Sequence, residues 1–335
     1  MSELALYRKY RSRQFGEVVG QSHVVSTLAN ALARGRVSHA YLFTGPRGVG
    51  KTSVARLLAQ AVNCTGADEG AASQPDQAGP AAARPCGRCR HCQVPLTSNL
   101  DVIEIDAASN RRIDEIRELR DKISLAPSLG RYKVYIIDEV HMLTTEAFNA
   151  LLKTLEEPPA HAIFILATTE SHKLPDTIIS RTQRFNFKPI TPSDIQAHLA
   201  VIAQQEQIPI DEAATELLAA AAGGSFRDAI SLLDQVAGSG SAQIDAAAVR
   251  AILGWSDTET IDQLSLAIAA GDAAAALAAL DRVLEQGAQA SQVINQLIER
   301  WRGLMLAAAR GGARDTDEVA RKVLESLSLA QVVTV

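Results

Sequence analysis

The sequence predicts an α/β fold, a five-stranded parallel sheet carrying a nucleotide-binding loop, followed by two helical domains. Three observations predict it. Five apolar segments alternate with helical patterns: His39–Gly45, Leu100–Ser109, Lys133–His141, Ala162–Thr169 and Arg184–Ile190. The octet Gly45-Pro46-Arg47-Gly48-Val49-Gly50-Lys51-Thr52 stands between the first apolar run and a helical pattern from Ser53 to Val62. After Pro189 the texture changes to Ala-rich helices. Strand and helix signals in alternation argue a parallel sheet covered by helices on both faces, and a Gly-rich loop between strand and helix is the P-loop plan.

The octet carries the first chemistry. Its glycines let backbone N–H groups crowd round phosphates, and the helix start supplies partial positive charge. Lys51 reaches the β- and γ-phosphates and the Thr52 hydroxyl ligates Mg²⁺, with Ser53 next to them in the helix. The competing reading is a Gly-rich turn that merely enters a helix. The third apolar segment answers it, because Lys133–Ile137 ends in the carboxylates Asp138 and Glu139. Open α/β sheets place their chemistry at the carboxyl ends of strands. There Asp138 can hold the Mg²⁺ and Glu139, turned elsewhere, can orient or deprotonate the attacking water. Thr168 and Thr169 close the fourth strand. Either hydroxyl can hydrogen-bond the attacking water or γ-phosphate, and either can equally be β-branched strand filler.

All four cysteines lie between residues 64 and 92. Cys86, Cys89 and Cys92 form two overlapping C-x-x-C units and Cys64 supplies a fourth thiolate, the ligand set of a closed, structural Zn²⁺ site. A redox pair or inert thiols are the alternatives. The Ala/Gly/Pro/Gln-rich spacer from Thr65 to Pro85 reads as a flexible insertion. Each doubling of a loop costs only about 0.6 kcal/mol, whereas structural zinc contributes on the order of 10 kcal/mol, so the spacer does not spoil the site.

The helical patterns follow in order. Phe148, Leu151, Leu152 and Leu155 recur at helical spacing within Thr144–Glu157, ended by Pro158-Pro159. Pro175-Asp176-Thr177 starts a short helix running to Ser180-Arg181-Thr182, where a lone Arg is most often surface charge. Thr191-Pro192-Ser193-Asp194 is a further helix start. In Gly224-Ser225-Phe226-Arg227-Asp228, Ser225 is an N-cap and Asp228 its capping-box partner. Arg227 then breaks a local rule, since the positive helix end disfavours a cation; such residues often serve sites. Gly238-Ser239-Gly240-Ser241 is a linker. The expected domains are therefore 1–189 with a metal-binding insertion at 64–92, a helical lid at 190–240, and a helical domain at 241–335.

At 335 residues, 47% hydrophobic and 21% charged, the composition is that of a soluble globular protein. The short apolar runs and the plain start Met1-Ser2-Glu3-Leu4 give neither a membrane span nor a signal-peptide plan, so a cytoplasmic location is expected. A net charge of −5 excludes bulk coating of nucleic acid but leaves room for a local basic surface such as Arg8, Lys9, Arg11 and Arg13. The mostly apolar Leu327–Val335 has no cap or polar tail, and the chain is expected to be a piece of a longer one.

Together these residues resemble the AAA+ ATPases, and within them the clamp-loader ATPases, the gamma/tau subunits of bacterial DNA polymerase III. The resemblance runs through Tyr7–Arg11, Val19-Gly20-Gln21, the P-loop, the four cysteines, Ile105–Ser109, Ile137–Leu143, Asn149–Pro159, Leu166–Thr169 and Gly224–Gln235. It covers about residues 1 to 236; beyond Ile244 only helical texture is shared, and an oligomerisation collar there is inferred from position.

The resemblance implies that Arg181, in the family's Ser-Arg-Cys motif with Thr182 in place of Cys, is an arginine finger for the neighbouring subunit's γ-phosphate. It also makes Arg227 the lid sensor and Thr168 or Thr169 the strand sensor. It puts the adenosine pocket in the segment 7–21, with Tyr7, Arg8, Tyr10, Arg11 and Val19. It implies ATP, Mg²⁺ and Zn²⁺, a ring with delta- and delta-prime-type subunits and copies of this chain, a sliding clamp, primed DNA, and polymerase and helicase bound through a region beyond this chain, in the replisome on the nucleoid and not at a membrane. Arg111 and Arg112 are candidates for DNA phosphates or simply a solvated helix start. Two rival readings are another AAA+ DNA motor and a non-hydrolysing scaffold; the cysteines and Gly224–Ala229 argue against the first, Glu139 and Arg181 against the second.

Overall fold

The structure, a computed structural model, describes residues 5–66, 84–109, 123, 125–239, 243–255, 258–285, 288–309 and 321–323. Arg111, Arg112, most of the spacer after Cys64 and the run from Leu327 lie outside the described residues.

Contacts divide the chain into two units, Met1–Ile208 with Thr215–Gly238, and Pro209–Ala214 with Ser239–Val335. The first holds α1 (Leu6–Lys9), α2 (Ser22–Ala33), β1 (Ala40–Thr44), α3 (Lys51–Asn63), α4 (Arg90–Gln93), β2 (Val102–Asp106) and β3 (Lys133–Asp138). After these come α5 (Thr145–Glu156), β4 (Ala162–Thr168), α6 (Asp176–Ile179), β5 (Gln183–Asn186), α7 (Pro192–Glu206), α8 (Glu212–Ala221), which enters this unit from Thr215, and α9 (Phe226–Ala237). The second unit carries α10 (Ala246–Leu253), α11 (Thr258–Ala269), α12 (Ala273–Glu285) and α13 (Ala290–Ala309).

The sheet is five-stranded in the order β2-β3-β4-β1-β5, and every pairing is parallel. The inner strands β1, β3 and β4 are continuous apolar runs because both of their faces are covered, whereas the edge strands β2 and β5 carry polar residues. Period-two alternation sorts them: Tyr41, Phe43, Val134, Ile136, Ile163 and Ile165 pack with α2 and α3 on one face. Leu42, Tyr135, Ile137, Phe164 and Leu166 pack with Phe148, Leu151 and Leu155 of α5 on the other. Each fully buried side chain of this size contributes about 1.5–3 kcal/mol.

The register brings the chemistry to one edge. Thr44 stands opposite Thr168, and Asp106 opposite Asp138. The third strand ends at Asp138, short of the expected His141, because Glu139 adopts φ 48° and ψ 45°. That left-handed conformation costs a non-glycine residue about 1–2 kcal/mol. It ends the pleat, and the Glu139 carboxylate meets Thr169 while that of Asp138 meets Thr52.

Buried Asp101, just before β2, accepts backbone N–H bonds from Ser128, Leu129 and Gly130 at 2.6, 2.7 and 2.7 Å. These bonds tie the approach to β3 to the start of β2. In the second unit, Ile261, Leu264, Ala279, Val283 and Val293 make one core and Ala269, Trp301, Leu304 and Val323 another. Arg300 pairs with Asp262 at 2.6 Å between α13 and α11.

Candidate nucleotide and metal sites

β1 delivers the P-loop and α3 leaves it. Gly50 has φ 101°, and Gly48 has φ 76°, conformations an L side chain rarely adopts. Lys51 is 6% exposed, and its ammonium donates to the Gly45 carbonyl at 2.8 Å and the Pro46 carbonyl at 2.6 Å. Thr52 donates its hydroxyl to Asp138 Oδ2 at 2.7 Å, bringing the end of β3 onto the first turn of α3. Two hard oxygens at this spacing on a strand end and a P-loop helix fit a Mg²⁺ ion, which prefers a carboxylate and oxygen donors. Burial pushes the Asp138 carboxyl up, against the Thr52 hydrogen bond that lowers it. Burial pushes the Lys51 ammonium down, against Glu139 and Asp138.

Glu139 is held from β4. Its Oε2 accepts the Thr169 hydroxyl at 2.9 Å and the Thr169 N–H at 3.2 Å. Thr168, one residue earlier and fully buried, faces His141 instead, with Oγ1 2.9 Å from Nδ1.

The lid docks on the loop. The Arg227 N–H donates to the Gly48 carbonyl at 3.3 Å, and the Ser225 hydroxyl caps α9 by accepting from Asp228 N at 3.3 Å. The Arg227 guanidinium lies over the Tyr7 ring, 4.9 Å from its centroid, at the entrance to the loop. The N-terminal segment is tied to the lid in turn. Leu6 N donates to Asp234 Oδ2 at 3.2 Å, Lys9 to Glu206 Oε2 at 2.8 Å, and the Tyr10 hydroxyl to Glu206. Burial and then Glu206 push the Tyr10 phenol up to about 12.

One cavity of about 400 Å³ gathers most of the expected nucleotide site: Tyr7, Tyr10, Arg11, Val19, Arg47 to Ser53, Asp138, Glu139 and Arg227. Arg8 lines an adjoining cavity with Tyr7, Arg11, Arg56 and Arg227. Gly45 and Pro46 act through their carbonyls on Lys51. Arg181 lies elsewhere, in a cavity with His39, Leu155 and Ser180; its guanidinium pairs with Glu156 at 2.8 Å and donates to Thr177 O at 2.9 Å.

Sequence reasoning passed over Asp106, which lines the nucleotide cavity beside Asp138, and His141 with Glu170. The Asp-Glu-x-His order was the available signal for His141.

The four thiols form a second centre. Cys64 follows α3, Cys89 caps α4, and all four Sγ atoms lie within 4.8 Å of one another. Sγ separations of 4.0 Å for Cys86–Cys92 and 3.9 Å for Cys89–Cys64 match the roughly 3.8 Å edge of a tetrahedron with metal–sulfur bonds near 2.3 Å. N–H groups of Arg88 and Cys89 point at Cys86 Sγ, at 3.5 and 3.3 Å, as donors that stabilise a thiolate. The donor set fits a closed thiophilic-metal site.

A P-loop on an inner strand of a 2-3-4-1-5 parallel sheet, with strand-end carboxylates below it and a helical lid over it, defines an ATPase of the AAA+ fold. Solved structures agree. RuvB of Thermotoga maritima, described as a Holliday junction branch migration motor, superposes with a TM-score of 0.53 at 22% identity over 77% of this chain and 79% of that one. A point mutant of the same RuvB covers 94% and 91% with a TM-score of 0.52 at 21% identity. At that identity the likeness shows the fold alone.

Residues 20–191 match the family described as DNA polymerase III, delta subunit; 194–242 the DNA polymerase III clamp loader subunit, ATPase lid domain; and 244–334 the DNA polymerase III subunits gamma and tau domain III. The tau subunit of DNA polymerase III from Bacillus subtilis is 45% identical over 98% of this chain and 57% of its own length. The gamma/tau subunit of Mycobacterium tuberculosis is 46% identical over 92% and 53%, and the tau subunit of Escherichia coli 44% over 89% and 44%. The chain belongs to the DNA polymerase III gamma/tau family. It spans about half the length of the curated relatives it matches.

Proposed function

We propose that this chain is an ATP-hydrolysing motor subunit of the bacterial replicative clamp loader, using ATP binding and hydrolysis to load a sliding clamp onto primed DNA within the DNA polymerase III holoenzyme. The observation that carries the proposal is the 2.7 Å contact of Thr52 with Asp138 beneath the P-loop, with Glu139 held beside it by Thr169. Lys51 and the P-loop N–H groups bind the β- and γ-phosphates. Thr52 and Asp138 hold Mg²⁺, which neutralises phosphate charge when bound. Glu139 orients the attacking water, and Thr169 fixes Glu139. Tyr7, Tyr10, Arg11 and Val19 form the base and ribose side of the pocket, with Arg8 at its margin, and Arg227 senses the phosphates from the lid.

Arg181 is the finger that completes a neighbour's site. Its position outside this chain's own nucleotide cavity, on a partly exposed guanidinium, supports a role in trans. Zn²⁺ is the metal inferred for Cys64, Cys86, Cys89 and Cys92, with a structural role because four thiolates leave no open position.

The proposal divides the chain into a catalytic domain (1–189), lid (190–240) and collar (241–335). Leu277, Leu284, Ile294 and Ile298, apolar yet 60%, 39%, 55% and 56% exposed, support a collar that packs on other subunits. The partners are delta- and delta-prime-type subunits, further copies of this chain, the clamp, primed DNA, and polymerase and helicase through sequence outside this chain. The setting is the cytoplasm, at the replisome on the nucleoid. Among the described residues no helix is long and apolar enough to cross a membrane.

The test is phosphate release and clamp deposition on primed DNA by the reconstituted loader. Lys51→Ala abolishes both. Arg181→Ala leaves nucleotide affinity intact and lowers stimulated hydrolysis by about 10³-fold, as arginine fingers do. Wild-type hydrolysis indifferent to clamp and DNA would refute the loader; hydrolysis unchanged by Arg181→Ala would refute the shared site.

A further inference from the structure

A histidine with a largely enclosed side chain stands beside the hydrolytic residues. His141, on the 3-10 turn Val140–Met142 that follows Glu139, keeps a side chain only 5% exposed. Its Nδ1 lies 2.9 Å from Thr168 Oγ1 and 3.4 Å from Glu139 Oε2, and its Nε2 lies 3.0 Å from Glu170 Oε2. The Glu170 N–H donates to the same Thr168 Oγ1 at 3.0 Å.

We propose that His141 is a positioning residue for ATP hydrolysis, binding Thr168 and Glu170 into one closed hydrogen-bonded circuit behind the Thr169–Glu139 pair. The inference rests on the reading of this chain as an ATPase.

The directions of the bonds follow from what each group can give. A carboxylate only accepts, so Nε2 carries a hydrogen toward Glu170. Lys173, 2.9 Å from Glu170 Oε2, holds that carboxyl below its usual range, chiefly through this bond, and so keeps it an acceptor. Thr168 Oγ1 receives the Glu170 N–H and, against a neutral imidazole, sends its own hydrogen to Nδ1. The circuit then runs from Glu170 N–H to the Thr168 hydroxyl, to the imidazole, and back to the Glu170 carboxylate. A hydroxyl has one hydrogen, and that of Thr168 is used.

Adjacent side chains leaving a strand point opposite ways. The Thr169 hydroxyl therefore reaches Glu139 while Thr168 reaches His141. The two candidate sensor threonines thus separate: Thr169 acts on the group that handles water, and Thr168 on the scaffold behind it. Glu170 also caps the turn Ser171–Lys173 leading to α6 and Arg181, so the same circuit fixes the first residue of the connection that carries the finger.

Steady-state hydrolysis by this chain in the assembled complex tests the assignment, with a fluorescent ATP analogue to report binding. His141→Phe and Thr168→Val should each lower kcat roughly three- to tenfold while KM stays within about twofold, the size of one lost hydrogen bond expressed in the transition state. The double variant should be no slower than the worse single, since both break one circuit. His141→Gln, whose amide can still donate to Glu170, should recover part of the rate. If His141→Phe fails to fold, the Gln variant and Thr168→Val carry the comparison. Additive losses, or a His141→Phe enzyme with wild-type kcat, overturn the assignment alone. A wild-type complex that binds ATP without hydrolysing it overturns the underlying reading.

Discussion

Gly48→Ala should uncouple the lid from the P-loop, and its cost can be worked from two separate contributions. At φ 76° an alanine pays about 1–2 kcal/mol for the left-handed backbone. Its Cβ would also stand 1.9 Å from Ser225 Oγ, 3.0 Å from Ser225 Cβ and 3.4 Å from Arg227 Cβ. Ser225 is too short to swing clear without leaving its cap on Asp228, and a lost cap costs about 1 kcal/mol. Together about 2–3 kcal/mol is set against the docked lid, which at 1.4 kcal/mol per decade weakens ATP binding about 30- to 150-fold.

Gly35→Ala supplies the comparison. Gly35 has φ 62° and nothing within 4 Å of the added carbon, so it carries the backbone strain without the collision. Titration of a fluorescent ATP analogue into both variants tests whether the loss is local to the loop, because Gly35→Ala, outside the nucleotide cavity, should lower the melting temperature and leave affinity alone. A Gly48→Ala protein that binds ATP within about threefold of wild type, less than 1 kcal/mol, would refute the reasoning.

Two other perturbations test the frame. Asp101→Asn removes the charge from three buried N–H bonds and should destabilise the first unit by about 2–4 kcal/mol in urea unfolding. Burial raises the Asp101 pKa, but the bonds from Ser128, Gly130 and Leu129, with Lys133, outweigh it and the net shift is downward. Its contribution is therefore complete above the unfolded aspartate value of about 4 and is lost as pH falls through the lower folded value, so the stability gap between wild type and Asn should close in strong acid. For the thiol cluster, metal analysis should find one zinc per chain. Cys89→Ser should release it and lower the melting temperature, whereas a full complement of zinc in that variant would exclude Cys89 as a ligand.

Much of the site was readable because chain order and spatial order coincide. Gly45 to Thr52 is contiguous, and the inner strands β1, β3 and β4 announce themselves as apolar runs since they are buried on both faces. Residues whose roles depend on register were hidden. Asp106 matters because β2 pairs with β3 so that it falls opposite Asp138, a relation no local pattern contains. Thr168 and Thr169 are equivalent as letters, and only the pleat of β4 separates them. His141 read as the last residue of a strand, whereas the left-handed turn at Glu139 places it on a 3-10 turn facing Glu170. Arg181 stands out in the sequence only through its motif; its ion pair with Glu156 joins α5 to the end of α6, which the spacing of neither segment foretells.

The ties between the first and last pieces of the ATP-binding unit have a consequence for biosynthesis. Leu6 bonds to Asp234 across 228 positions, and Lys9 and Tyr10 reach Glu206 across 197 and 196. A ribosome adding about 5–20 residues per second needs roughly ten to fifty seconds between Leu6 and Asp234. Throughout that interval Tyr7 and Tyr10 have emerged but have nothing to close against. The sheet can condense early around its own neighbours in sequence, while the cavity wall that carries Tyr7 and Tyr10 is assembled last. A nascent chain would thus be structured well before it is able to bind its fuel.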